Sequence, residues 1–131
     1  MKVVFLSQDE VLALHADQIE RYGGHHGIRD TSSLNSALAM PRATLGGRWL
    51  HGSLHEMAAA YLHHLVQGHA FLDGNKRVGL MAMLAFLGLN SLRLAATEDE
   101  LVELVLGVAA GRVSNAEVAV FVKRHAHRMR R

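Results

Sequence analysis

The chain has 131 residues, 50% of them hydrophobic, a formal net charge of +2, ten histidines and no cysteine. That length suits one domain over residues 1–131 with a real core, and so small a charge excludes strong polyanion affinity from charge alone. Without cysteine there are no disulfides and no thiolate metal sites, which fits a reducing cytosol.

The opening MKVVFLSQDE is too short in its apolar run for a secretory signal. The longest uncharged apolar run, Val78 to Leu92 less polar Asn90 and Ser91, falls short of the ~20 residues of a membrane span. A soluble, cytoplasmic protein with no membrane partner is expected.

Four Ser/Thr-x-x-Glu spacings mark helix starts: Ser7/Glu10, Ser53/Glu56, Thr97/Glu100 and Ser114/Glu117. In each, the hydroxyl accepts from an orphan amide and the glutamate reaches back. The first helix is predicted from Gln8 to Tyr22, with Leu12, Ala16 and Ile19 on one stripe and Gly23-Gly24 as its stop. A second follows Asp30 through Leu34 and Leu38 to Met40, before Pro41. Residues 41–52 read as a loop or flap.

A third helix spans Leu54 to Gly68, with Leu54, Ala58, Tyr61 and Leu65 inward. The fourth runs from Asn75 to Leu89. It carries no charge after Arg77 and is expected to be the buried central helix, with Gly79, Ala82 and Ala85 admitting close neighbours. The fifth covers Glu98 to Ala110 and the sixth Asn115 to Arg128. Residues 3–6 and 92–96 are candidates for a small strand pair. The fold class is therefore all-α, a compact bundle around a buried helix. The basic end KRHAHRMRR reads as a solvated helix end, and direct nucleic-acid binding is not expected.

The chemistry concentrates in HAFLDGNKR, residues 69–77. Phe71 is an apolar peg, and Gly74 permits backbone geometry that other residues resist. Asn75, Lys76 and Arg77 open a helix whose first amides and dipole favour an anion. With two cations added, a phosphate is the natural guest. Asp73 suits a magnesium ion bridging phosphates, and His69 suits a general base for a hydroxyl. The same residues also fit a plain helix start, with Asp73 as cap and Arg77 in a structural ion pair.

This motif resembles the signature of the Fic/Doc superfamily, His-x-Phe-x-Asp/Glu-Gly/Ala-Asn-x-Arg. Lys76, where Fic enzymes usually carry glycine, is similar to the death-on-curing (Doc) branch. RYGGHHGIRD (21–30) with LNSALAMP (34–41), and LVLGVAAGRVS (104–114), resemble the two ends of death-on-curing proteins, so the likeness covers almost the whole chain. Leu80 stands where Fic motifs often carry a second arginine, which agrees with the Doc branch. Gln67 stands where the phage toxin type has a basic residue, and Gly74 follows the Fic spelling.

The resemblance implies an α-helical bundle that uses ATP and Mg2+. Fic members transfer AMP to a protein hydroxyl. The Doc branch phosphorylates a threonine of translation elongation factor Tu, halting translation, and is silenced by the carboxy-terminal segment of a cognate antitoxin. Carried over, His69 is the base, Asp73 holds magnesium, and Gly74, Asn75, Lys76 and Arg77 cradle the phosphates, with His69, Asp73 and Arg77 catalytic. Lysine in place of glycine crowds the phosphate pocket, so that ATP sits with its γ-phosphate nearest His69. The alternatives are AMP transfer and a catalytically idle module that binds an antitoxin.

Other groups read as structural. His51 and His55 are four apart, but HEMAA is not a zinc-hydrolase motif, and His63 and His55 differ by about a quarter turn. His25 and His26 lie in a glycine-flanked loop. Arg29 and Asp30 read as a cap with a local ion pair, in a loop that also suits the border of the active site. Trp49, beside Arg48, suits either the core or a partner-facing surface.

Overall fold

The computed structural model describes residues 2–129. Among them are helices α1 (Gln8–Tyr22), α2 (Thr31–Ala39), α3 (Leu54–Gly68), α4 (Asn75–Leu89), α5 (Glu98–Ala109) and α6 (Asn115–His125). Two antiparallel strand pairs complete the fold: β1 (Thr44–Leu45) with β2 (Arg48–Trp49), and β3 (Leu92–Leu94) with β4 (Ala126–Arg128). The bundle is mostly α-helical, as its sequence pattern predicts. Among the described residues no helix is long and apolar enough to cross a membrane.

The helix starts follow the hydroxyl–glutamate pattern. Ser7, Thr97 and Ser114 accept from the amides of Glu10, Glu100 and Glu117, whose carboxylates bond back to the cap amides. At α3 the box is half made. Ser53 Oγ accepts from the Glu56 amide at 3.1 Å, while Glu56 turns to the Gly52 amide at 2.6 Å. Asp30 caps α2 through the Ser33 amide at 3.1 Å. Each cap stabilises its helix by about 1 kcal/mol.

α3 is the most enclosed helix: Met57 to Leu62, Leu65 and Val66 are all buried, and it packs against α2, α4, α5 and α6. α4, expected to be central, buries Val78, Gly79, Ala82, Met83, Phe86 and Leu87, while Leu80, Met81 and Leu84 are only partly covered. Gly79 explains how closely the two helices approach. A Cβ there would sit 2.7 Å from Val66 Cγ2 and 3.3 Å from the Leu62 carbonyl oxygen. On α1 the buried stripe is Val11, His15, Gln18 and Ile19, one step round from the predicted Leu12–Ala16–Ile19.

The expected strand pair and the end of the sixth helix are both corrected. Residues 3–6 do not pair with 92–96. Instead the Asn90 side chain takes both main-chain groups of Val4, accepting from its amide at 2.9 Å and donating to its carbonyl at 2.8 Å. The Leu6 amide donates to the Tyr61 hydroxyl at 2.9 Å. β3 pairs with β4, because α6 stops at His125 rather than at Arg128. The His125 ring stacks on Phe121, with centroids 4.1 Å apart, and its Nδ1 donates to the Phe121 carbonyl at 2.8 Å. The Ala95 amide then takes the His125 carbonyl at 2.8 Å, and the chain runs on extended. The final Arg130 and Arg131 of the basic end lie outside the described residues.

Residues 41–52 contain a turn of 3-10 helix (Met40–Arg42) and the β1–β2 hairpin. Trp49 on that hairpin is 37% exposed and leans on Phe5, with ring centroids 5.4 Å apart.

Candidate active site

α3 ends at His69, whose backbone is left-handed at φ 48° and ψ 44°. A side chain there carries strain that its surroundings must hold. Arg29 supplies the hold: its Nε donates to the His69 carbonyl at 2.7 Å. The Ala70 carbonyl accepts from the Arg29 amide at 2.7 Å and the Asp30 amide at 3.0 Å. The Leu72 amide donates to Gly27 at 3.1 Å, completing an antiparallel bridge between Ile28 and Phe71. Residues 27–30 therefore run alongside the motif loop. Arg29 serves the His69 main chain rather than the local ion pair with Asp30 that the sequence suggested.

Phe71 is the buried peg, 2% exposed, and burying it stabilises the loop by about 1.5–3 kcal/mol. The Asn75 side chain closes the loop on it, accepting from the Phe71 amide and donating to the Phe71 carbonyl, both at 3.0 Å. Asn75 thus leaves its main-chain amide at the start of α4, while its side chain holds the loop.

Asp73 uses both carboxylate oxygens. Oδ2 accepts from the His25 amide at 3.1 Å and Oδ1 from the Gly74 amide at 2.8 Å. These two amides hold its carboxyl below the usual carboxylate range, so it is ionised at neutral pH. A carboxylate offers about four lone-pair sites, which leaves room for a cation, and the Asp73 side chain is 40% exposed. Gly24 makes this geometry possible. At φ +123° its missing Cβ would fall 2.5 Å from Asp73 Oδ2 and 3.1 Å from Arg77 Nη2.

Arg77 lies behind the loop. Its Nη1 donates to the carbonyls of Gly23 at 2.8 Å and Gln18 at 3.3 Å, and its Nη2 is 3.9 Å from Asp73 Oδ1. It ties the end of α1 to the start of α4 and places its charge beside Asp73. Lys76 is exposed and, among the described residues, makes no ion pair.

Gly74, in the left-handed region at φ 77° and ψ 19°, is the N-cap of α4 and offers no side-chain cap. The first helical bond runs from the Val78 amide to the Gly74 carbonyl at 2.9 Å. The amides of Asn75, Lys76 and Arg77 are thus the orphan donors of this helix start. A cavity of about 310 Å³ is lined by all six predicted site residues, His69, Asp73, Gly74, Asn75, Lys76 and Arg77, together with Leu72 and Ala109.

A larger cavity, about 890 Å³, opens at the other end of α3 between residues 50–56 and α6. It contains none of these groups, and its size does not outweigh the chemistry at the smaller one. Gln67 points away from the motif loop, donating to the Val108 carbonyl of α5. Among the described residues no three histidine or acidic side chains converge as a metal site.

Sequence reasoning missed His15, Gly24 and Arg29 as supports of the loop. The signal for His15 was a polar residue within the Val11–His15–Ile19 stripe at four-residue steps.

The model of the Fic/DOC family matches residues 5–87. The chain is 34% identical over 119 residues to "Protein kinase doc" of Escherichia phage P1, covering 91% of this chain and 93% of that protein. It is 39% identical over 95 residues to "Toxin Doc" of Mycolicibacterium smegmatis, covering 72% and 71%. On the family match, the extent of these likenesses and the motif loop between α3 and α4, the chain belongs to the Fic/DOC family.

Proposed function

We propose that this chain is the toxin of a toxin–antitoxin pair and that it phosphorylates a Ser or Thr hydroxyl of a target protein with Mg-ATP. The observation that carries the reading is the uncapped start of α4 sharing one cavity with His69, ionised Asp73 and exposed Lys76. Two relatives bear the names of a kinase and a toxin.

The chemistry follows from the residues. The triphosphate lies on the amides of Asn75, Lys76 and Arg77, where the helix dipole favours negative charge. Lys76 adds a cation that makes no ion pair among the described residues, and Arg77 adds charge from behind the loop. Asp73 is the hard oxygen ligand for magnesium, which typically takes one or two carboxylates plus substrate phosphates. That ion neutralises phosphate charge. His69, exposed at the rim, accepts the proton of the target hydroxyl as the γ-phosphoryl group moves to that oxygen and ADP leaves. Such transfer relies mainly on positioning and charge neutralisation.

Elongation factor Tu is the target to try first, and an antitoxin carboxy-terminal segment the partner, both on the resemblance to the Doc branch. Expression of the chain in a bacterial host tests the reading. Growth arrest with loss of protein synthesis, abolished by His69→Ala at equal protein level, is the expected result. Arrest that persists in the variant would point to the idle binding module instead.

A further inference from the structure

A buried histidine outside the motif supports the loop from within. His15 is 4% exposed on α1. Its ring lies flat on Phe71, with centroids 3.8 Å apart and planes 11° apart. Its Nε2 is 2.7 Å from the Asp73 carbonyl oxygen. A carbonyl only accepts, so Nε2 carries the proton.

We propose that His15 is a positioning residue for the magnesium–phosphate site, setting the plane of the Asp73–Gly74 peptide. The inference rests on the nucleotide reading above. In a trans peptide the C=O and the N–H point to opposite sides. With the Asp73 carbonyl turned inward onto His15, the Gly74 amide faces the other way and donates to Asp73 Oδ1 at 2.8 Å. That amide and the His25 amide then hold the carboxylate where the cavity is lined by Asp73 and the start of α4. Gly74 allows little slack, since a Cβ on it would lie 3.5 Å from His15 Nε2 and 3.2 Å from Ile19 Cδ1. Without a donor at position 15 the Asp73 carbonyl is left unpaired. Its peptide then turns toward water and carries the carboxylate off its two amides.

Three variants separate this role from plain packing. His15→Phe keeps the ring on Phe71 and loses the donor. His15→Gln loses the ring and keeps a long-reach N–H. His15→Asn places its N–H too short, and it stands in for His15→Phe should that variant fail to fold. The readout is calorimetric binding of a non-hydrolysable ATP analogue with magnesium and with EDTA, beside a thermal melt.

Wild type should bind more tightly with magnesium. His15→Phe should lose about tenfold or more of that magnesium gain, the usual effect of removing a residue that orients a metal ligand, over and above any change it shows in EDTA. His15→Gln should recover most of it. A full magnesium gain in His15→Phe or His15→Asn, whatever the melting temperature, overturns the inference. No analogue binding by wild type overturns the nucleotide reading itself and the inference with it.

Discussion

The side-chain amide of Asn75 grips both main-chain groups of Phe71, at 3.0 Å each, so the motif loop is closed by one of its own residues. The same device recurs at Asn90 on Val4. Asn75→Ala leaves the Phe71 amide and carbonyl without partners in a buried setting. It should cost about 2–3 kcal/mol, read as a lower urea midpoint, and abolish nucleotide binding. Asn75→Asp should not rescue either property, because it keeps an acceptor for the amide but sets a carboxylate against the carbonyl.

His69 carries backbone strain. Its left-handed backbone at φ 48° suits glycine, and the Arg29 bond goes to its main-chain oxygen. His69→Gly should therefore raise stability by about 1 kcal/mol while removing all transfer activity. Denaturant unfolding beside an activity assay checks both halves. A less stable His69→Gly would contradict the strain argument.

Gly23 and Gly24 make a controlled pair. Both have positive φ, at +85° and +123°, but a Cβ on Gly23 meets nothing within 4 Å, whereas one on Gly24 meets Asp73 Oδ2 and Arg77 Nη2. Gly23→Ala should cost only backbone strain, about 1–3 kcal/mol at φ 85° and ψ 169°, and bind nucleotide normally. Gly24→Ala should in addition weaken magnesium-dependent binding, measured by calorimetry.

Acid should unfold the protein in two separate windows. Burial, with His63 and His51 nearby, depresses His64 from 6.5 to about 4. The unfolded chain thus takes up a proton near pH 6.5 that the folded chain refuses until about 4. The stability of the neutral ring is complete above the first value and is lost as pH falls toward the second. With the ring half-exposed and screened by solvent, that amounts to about 1 kcal/mol. Asp30, Asp73, Glu100 and Glu117 are all held low by amide hydrogen bonds, so their contributions fade only at lower pH. His64→Gln should shrink the upper window in pH-dependent unfolding to the part that the partly buried His63, also held below 6.5, contributes, and leave the lower one.

Helix boundaries were legible wherever a side chain marks them, as at Ser7, Asp30, Thr97 and Ser114, because capping is local in sequence. The cluster around residues 69–77 was legible for the same reason. The support of that cluster was not. His15 meets Asp73 across 58 residues and Arg29 meets His69 across 40, and no spacing rule links them. The β3–β4 pair was hidden because it depends on the His125 ring folding back onto Phe121, which ends a pattern that reads as helix to Arg128. The rank of α3 over α4 was hidden too. α4 lacks charge after Arg77, yet only one of its sides meets α3, and Gly79 decides how closely.

The proposed reaction is transfer of the γ-phosphoryl group by the His69–Arg77 loop. Purified protein with magnesium and a bacterial lysate, given ATP labelled at the α or the γ phosphate, tests it most directly, with His69→Ala alongside. The account predicts label on a protein from the γ position only, absent in the variant. Label from the α position would contradict it and make the chain an AMP transferase.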